Sequence, residues 1–391
     1  MRITRPRPGE PIRLVDTKHG PRYKVVLDVG LRPDGRRRQV QKTFTTIRAA
    51  RDFVTATRAD LTKGTYVAPE RETFDQVADR WLASKRDVRA VTVGGYRQAL
   101  KPVQKLIGGR PVQSLSRRDV EGVVQHLVDD GGLRGTRLSR RSVVYSLTTV
   151  RQVFGYAVTE GLIAVNPALS VKPPRQQSGD KSSVTVWEPS ELAAFKTVAD
   201  TDVWAAGWRL TLCGLRRSEV LGLSWDAVDL DQGTVTVKAG RVALDGSHTA
   251  TDDPKSSASR RTVPVESMHP GTVALLRGLR VVQARDRLAA GSAYEDNGYV
   301  LVDALGRPVR PEAYSDRFAV LCGEAGVPVV RLHAVRHTIA LMLHRIGVAP
   351  ADAAALLGHT VAVHLSTYVP RTERGVSSAA AALGEVMAAV P

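Results

Sequence analysis

Five side chains able to act on a phosphate lie in short words that set them within reach of one another. In R-L-H-A-V-R-H-T, His333 and Arg336 are three residues apart, a spacing that puts both on one face of a helix. In L-L-G-H-T, Gly358 stands where a helix C-cap is expected, which would turn His359 out of an Ala- and Leu-rich helix toward the same face. Tyr368 follows nine residues after His359. Upstream, T-L-C-G-L-R-R-S-E-V-L-G-L places Arg216 at the start of an amphipathic helix, with Glu219 three residues on. Cleaving a phosphodiester with a side chain needs a nucleophile, donors for the two non-bridging oxygens and a proton for the leaving oxygen. The Tyr368 phenol is a weak nucleophile while protonated at its usual pKa of about 10. Nearby cations favour the phenolate, so arginines that hold the phosphate also activate the attacker. Arg216 and Arg336 can each offer two parallel N–H donors, which lysine cannot copy. His359 would donate a further bond to the phosphate, and His333 can accept or return the tyrosine proton.

The elements that must position these groups form a mixed, mostly helical region from residue 184 to 391. Pro189 is placed as a first helical residue, with Glu191 in the first turn of a helix reaching Ala199. Helix patterns follow over 202–212 and 217–223. Residues 234–238, 241–244 and 260–265 alternate like strands. Helices return over 270–289, 311–325, 332–346, 350–357 and near 361–368, and the Ala-rich tail reads as a short apolar helix. The class is α+β with a small antiparallel sheet. Before this region, S-V-K-P-P-R-Q-Q-S-G-D-K-S-S is rich in Pro, Ser and charge, and residues 171–183 read as a linker.

Residues 70–170 carry four helix patterns, 74–85, 93–107, 116–128 and 139–160, an all-α bundle. Ser116 is an N-cap with Asp119 as its partner in a capping box. Arg134, Arg137, Arg140 and Arg141 load the start of the last helix with positive charge, as Lys101 and Lys105 do the second. A basic face on such a bundle suits DNA backbone binding. Residues 1–66 read as three short strands, 12–16, 23–29 and 38–44, then a helix laid across them, with R-P-D-G-R as the turn between the last two strands. The first 45 residues hold twelve Lys and Arg against four Asp and Glu, with Arg36, Arg37 and Arg38 in one run, so this sheet too is a candidate DNA contact that fits a major groove.

The words G-L-R-x-x-E, H-x-x-R, L-G-H and a tyrosine nine residues on, with a lysine on a β-hairpin between the first two, resemble the tyrosine recombinases of the phage integrase family. The motifs cover the C-terminal half; the N-terminal half is similar in layout. The resemblance implies a catalytic set of Arg216, Lys255, His333, Arg336, His359 and the nucleophile Tyr368, with Glu219 and His337 in support. Glu219 would orient Arg216 or a neighbouring histidine. Lys255, in D-D-P-K-S-S-A-S-R-R-T-V-P-V, resembles the family's leaving-group acid; Arg260 and Arg261 are close by and are further candidate DNA contacts. It also implies an arm-type DNA-binding domain at the N-terminus and a core-binding, SAM-like bundle that clamps the crossover site. The tail would pack on a neighbouring protomer in a tetramer on two duplexes. A 3′-phosphotyrosine link would conserve bond energy, so no ATP, metal or other cofactor is needed. A directionality factor or a host DNA-bending protein would be possible partners.

Bulk properties agree with that picture. With 391 residues, 43% hydrophobic, the chain can form two or three cored domains. A formal charge of +17 points to a polyanionic partner, nucleic acid before a membrane surface. There is no apolar run of eighteen residues and M-R-I-T-R-P-R-P lacks an apolar core, so a soluble protein of the bacterial cytoplasm, associated with the nucleoid when on DNA, is expected. Cys213 and Cys322, each inside an apolar helix pattern, read as core residues. Two other classes compete. His333 and His337 have the H-x-x-x-H spacing of zinc ligands, with His359 as a third, but Ala334 stands where a zinc hydrolase carries its glutamate. A DNA-binding regulator without catalysis would have no use for Tyr368. A type IB topoisomerase shares the chemistry but usually lacks a separate N-terminal arm domain.

Overall fold

The computed structural model describes residues 4–31, 36–131, 135–175, 185–243, 249–252, 260–368 and 373–388. The chain divides into two compact units, Met1–Val88 with Thr92–Gln177, and Arg89–Val91 with Ser178–Pro391.

The first unit has two separate hydrophobic cores. Strands β1 (Ile12–Thr17), β2 (Gly20–Leu31) and β3 (Arg37–Phe44) form an antiparallel sheet in that order. Tyr23, Val25 and Leu27 alternate onto one face of β2 and are buried with Ile12 against Ala50 and Val54 of α1 (Ile47–Thr62). The residues that alternate with them, Arg22, Lys24 and Val26, take the other, less buried face, as a period of two requires. Thr46 caps α1 by accepting from the Ala49 N–H. The turn expected between β2 and β3 falls on residues 32–35, outside the described residues.

The second core is built by α2 (Phe74–Ala83), α3 (Ala90–Ile107), α4 (Arg117–Asp129) and α5 (Arg140–Thr159). Thr73 with Gln76, and Ser116 with Asp119, form reciprocal capping boxes at the starts of α2 and α4. Phe74, Trp81, Leu100 and Phe154 are among the fully buried side chains that fill the bundle, and Phe74 meets Phe154 at 5.4 Å between ring centroids.

The second unit opens with α6 (Pro189–Ala199), α7 (Ala205–Leu212) and the short α8 (Arg217–Leu221). Strands β4 (Val228–Asp229), β5 (Thr234–Val237), β6 (Gly240–Ala243), β7 (Thr249–Asp252) and β8 (Arg261–Val263) follow. They make two sheets, β4-β5-β8 and β6-β7, all antiparallel. Helices α9 (Val265–Met268), α10 (Thr272–Ala290), α11 (Pro311–Glu324), α12 (Leu332–Arg345), α13 (Pro350–Leu357), α14 (Val361–Tyr368) and α15 (Glu373–Ala388) complete it. Behind the site stands an aromatic wall from α6, α7 and α11: Trp208 stacks on Tyr314 at 4.0 Å, and Phe195 lies 5.1 Å from Phe318. The Tyr314 hydroxyl shares a 2.9 Å hydrogen bond with Thr211, so its buried polar end is satisfied. Cys213 and Cys322 are both buried and unpaired with each other, their thiols pushed up by burial to about 12 and about 11. Among the described residues no helix is long and apolar enough to cross a membrane.

Candidate active site

The site is assembled from four element ends. Arg216 stands at the N-cap of α8 in an extended conformation and pairs with Glu219, its backbone N–H donating to Glu219 Oε2 at 2.8 Å and Nη1 to Oε1 at 2.5 Å. Its Nη2 crosses to the Gly358 carbonyl at 2.7 Å, tying α8 to the end of α13. Glu219 is 6% exposed and holds a second arginine, Arg261 of β8, through contacts of 3.0 and 3.2 Å. Burial works to raise the carboxyl, but the Arg261 hydrogen bond and the charges of Arg261 and Arg216 outweigh it and hold Glu219 below the ordinary range. Arg261 also donates from Nε to the Leu356 carbonyl at 2.8 Å.

Gly358 ends α13 in the left-handed region, φ 68°, as the sequence predicts for a C-cap. A second reason for glycine is visible only in three dimensions: a Cβ there would lie 2.5 Å from Arg261 Nη1 and 2.9 Å from its Cζ. The cap turns His359 out of the helix toward α12, where Arg336 is 1% exposed. Arg336 Nη1 donates to the Gly214 carbonyl and Nη2 to His359 Nδ1, both at 2.8 Å. His359 Nε2 meets Nδ1 of His364 at 3.0 Å, the two rings parallel within 10°. His364 is completely buried on α14, four residues before that helix ends at Tyr368.

One turn before Arg336, the exposed His333 lines an open cleft of ≈ 520 Å³ with Arg216, Arg217, Ser218, Ser315 and Arg331. His337 stands edge-on to His333, 5.0 Å between ring centroids. Loss of water around the ring, then the charges of His337, Arg336 and Arg216, depress His333 to about 4. His359 is depressed to about 4 as well, by burial first and then by Arg336. Both imidazoles are therefore neutral at neutral pH, the form in which one ring nitrogen can take up a proton.

The sequence profile of the phage integrase family matches residues 207–374, from α7 to the first residues of α15, and so contains all of these groups. That domain belongs to the phage integrase family of tyrosine recombinases. A XerC-like tyrosine recombinase of Caldanaerobacter subterraneus is 29% identical over 54% of this chain and 57% of its own length. The ICEBs1 integrase of Bacillus subtilis is 26% identical over 60% of this chain and 61% of that protein. The chain thus spans a little over half the length of these relatives. In fold, it is similar to the integrase of the Tn1549 transposon, solved in complex with transposon right end DNA, with a TM-score of 0.62 and 19% identity over 80% of this chain and all of that one.

In this tyrosine recombinase domain, Arg216 and His333 share the cleft, while Arg336 and His359 are bonded to each other behind it. Tyr368 closes α14. Lys255 lies outside the described residues; the strands before and after it belong to different sheets, β7 pairing with β6 and β8 with β5, where the sequence suggested one hairpin. Arg261, read from the sequence as a candidate DNA contact, is turned inward with its side chain 7% exposed, because Glu219 and the Leu356 carbonyl draw it in. Its neighbour Arg260 is exposed. In the first unit Arg36, Arg37, Lys101, Lys105, Arg137 and Arg141 are on the surface. Arg38 is paired with Glu70 at 2.9 Å, and Arg140 donates to the Pro174 carbonyl at 3.0 Å. Arg134 lies outside the described residues. Among the described residues no three His, Cys, Asp or Glu side chains gather as a metal cluster. His359, the third ligand of the zinc alternative, has its ring nitrogens directed to Arg336 and His364.

Arg217, Arg331 and Ser218 at the cleft, and His364 behind His359, were not singled out from sequence. The second arginine of L-R-R-S-E was a readable signal for Arg217. For His364 the only signal was a further histidine between His359 and Tyr368.

Proposed function

We propose that the chain is a site-specific DNA recombinase, an integrase of a phage or integrative element, that cuts and rejoins strands through a 3′-phosphotyrosine intermediate. The observation that carries this reading is the bonding of Arg216 to the Gly358 carbonyl and of Arg336 to His359, which gathers both guanidiniums and the imidazole around the turn leading into the helix of Tyr368. The phenol oxygen of Tyr368 attacks phosphorus and the 5′ oxygen leaves. His333 takes the phenolic proton and Lys255 supplies one to the leaving oxygen, so atoms and charge balance. Arg216 and Arg336 neutralise the non-bridging oxygens, work that a pair of Mg²⁺ ions does in other phosphoryl-transfer sites. The phosphotyrosine bond is kept for attack by a 5′ hydroxyl of another strand, without ATP. The basic sheet and bundle grip arm-type and core DNA sites; four copies act on two duplexes, with a directionality factor or DNA-bending protein as accessory. The N-terminal sheet favours an integrase over a chromosome-dimer resolvase.

The test uses a duplex carrying the candidate crossover site and a nick near the scissile phosphate, incubated with purified protein in EDTA. A covalent protein–DNA band on a denaturing gel, absent in Tyr368→Phe, is expected. Tight binding without a covalent band on any site would instead favour a regulator.

A further inference from the structure

Arginine has donors only and keeps its protons at any working pH. In the 2.8 Å contact between Arg336 Nη2 and His359 Nδ1 the arginine therefore donates, and Nδ1 carries no proton. Burial depresses both His359 and His364, so both rings are neutral near neutral pH. The single proton of His359 then sits on Nε2, where it is donated over 3.0 Å to Nδ1 of His364. His364 in turn carries its own proton on Nε2. The N–H that the proposed reaction requires for a phosphate oxygen is thus already given to a side chain inside the protein. That side chain is completely buried on the helix of Tyr368. Arg336, 1% exposed and bonded to the Gly214 carbonyl, is likewise turned inward.

We infer that His364 is an internal stand-in for the scissile phosphate, a positioning residue whose Nδ1 holds the His359 N–H, and with it α14, until a phosphate oxygen takes its place. The exchange runs toward DNA because a bond to an ionised acceptor is roughly twice as strong as one between neutral groups. Since His364 and Tyr368 share one helix, giving up the N–H changes what holds the nucleophile's helix at the moment the phosphate docks. The identity of the anion rests on the recombinase reading; the hydrogen bond does not.

The deciding measurement is the imidazole ¹⁵N spectrum of the full-length protein at neutral pH, alone and with a crossover-site duplex. Without DNA, His359 should be protonated on Nε2 and His364 Nδ1 should be a hydrogen-bonded acceptor. The duplex should abolish that bond, and a duplex with an uncharged methylphosphonate at the scissile position should leave it. A His359 proton on Nδ1, or a His359–His364 bond that survives the ordinary duplex, overturns the inference. Rates give a second reading. His364→Leu removes the competing acceptor and should raise covalent-complex formation at saturating duplex about fivefold, the worth of one hydrogen bond. His364→Asn places Oδ1 where Nδ1 stood and should match the unaltered protein. A folded His364→Leu variant at or below the unaltered rate refutes the stand-in role, whereas a purely structural histidine would give just that. Where either variant does not fold, the spectra decide. If the unaltered protein forms no covalent adduct on a duplex it binds, the recombinase reading falls while the spectra still decide the role of His364.

Discussion

Replacing Gly358 with alanine tests whether the site is held together as described. Two costs add. A non-glycine residue at φ 68° is strained by about 1–2 kcal/mol. The new Cβ also meets Arg261 Nη1 at 2.5 Å and Cζ at 2.9 Å, and that guanidinium cannot swing away without leaving Glu219 and the Leu356 carbonyl. Overpacking of this kind costs about 1–3 kcal/mol, so Gly358→Ala should lose about 2–5 kcal/mol. Gly326, which follows α11 at φ 65° with nothing within 4 Å of its Cβ position, bears the backbone strain alone. Gly326→Ala should therefore lose only about 1–2 kcal/mol. Urea unfolding followed by tryptophan fluorescence suits the comparison, since Trp187, Trp204, Trp208 and Trp225 all lie in the second unit and only Trp81 in the first. Equal losses for the two variants, within about 0.5 kcal/mol, would mean that Arg261 is not pinned beneath the cap and would refute the reasoning.

Glu219→Gln leaves two arginines facing a neutral group where a 6% exposed carboxylate stood. Breaking one side of a buried charge pair costs about 3–5 kcal/mol, and a urea midpoint equal to that of the unaltered protein would contradict the frame. The pH dependence has a definite sign. The unfolded His359 binds a proton near 6.5 and the folded ring only near 4, so stability is full above about pH 6.5 and falls as pH drops toward 4. His359→Gln should remove about 2 kcal/mol of that slope, allowing for partial exposure; an unchanged pH profile of thermal unfolding would argue against a depressed His359.

The helices of the second unit were legible because their apolar spacing and their starts, such as Pro189 and Pro311, are local properties. Of its five strands, β5, β6 and β8 were legible as segments but not as pairs, and β4 and β7 were not read at all. β5 joins β8 across 23 intervening residues that include another pair, and strands as short as β4, two residues, carry no alternation to read. The same limit applies at the site. Arg216, His333, Arg336 and His359 announce themselves by local words, yet nothing near Arg261 in sequence says that a carboxylate 42 positions away will draw it inside. His364 shows the converse: its place in the chain was plain, and only the structure brings its ring against that of His359.

Among the described residues, the buried core of the N-terminal sheet consists of Ile12, Tyr23, Val25, Leu27, Ala50 and Val54, with a few partly buried side chains such as Phe44 and Phe53 around it. A patch that small buries little apolar surface, whereas conformational entropy is charged against every ordered residue. The sheet should accordingly open at a lower free energy than the bundle, and its amides should exchange with solvent before those of the bundle, which has a core of its own. Such modularity leaves the exposed face of the sheet open to change in evolution, since substitutions there leave the packing of the bundle's own core untouched.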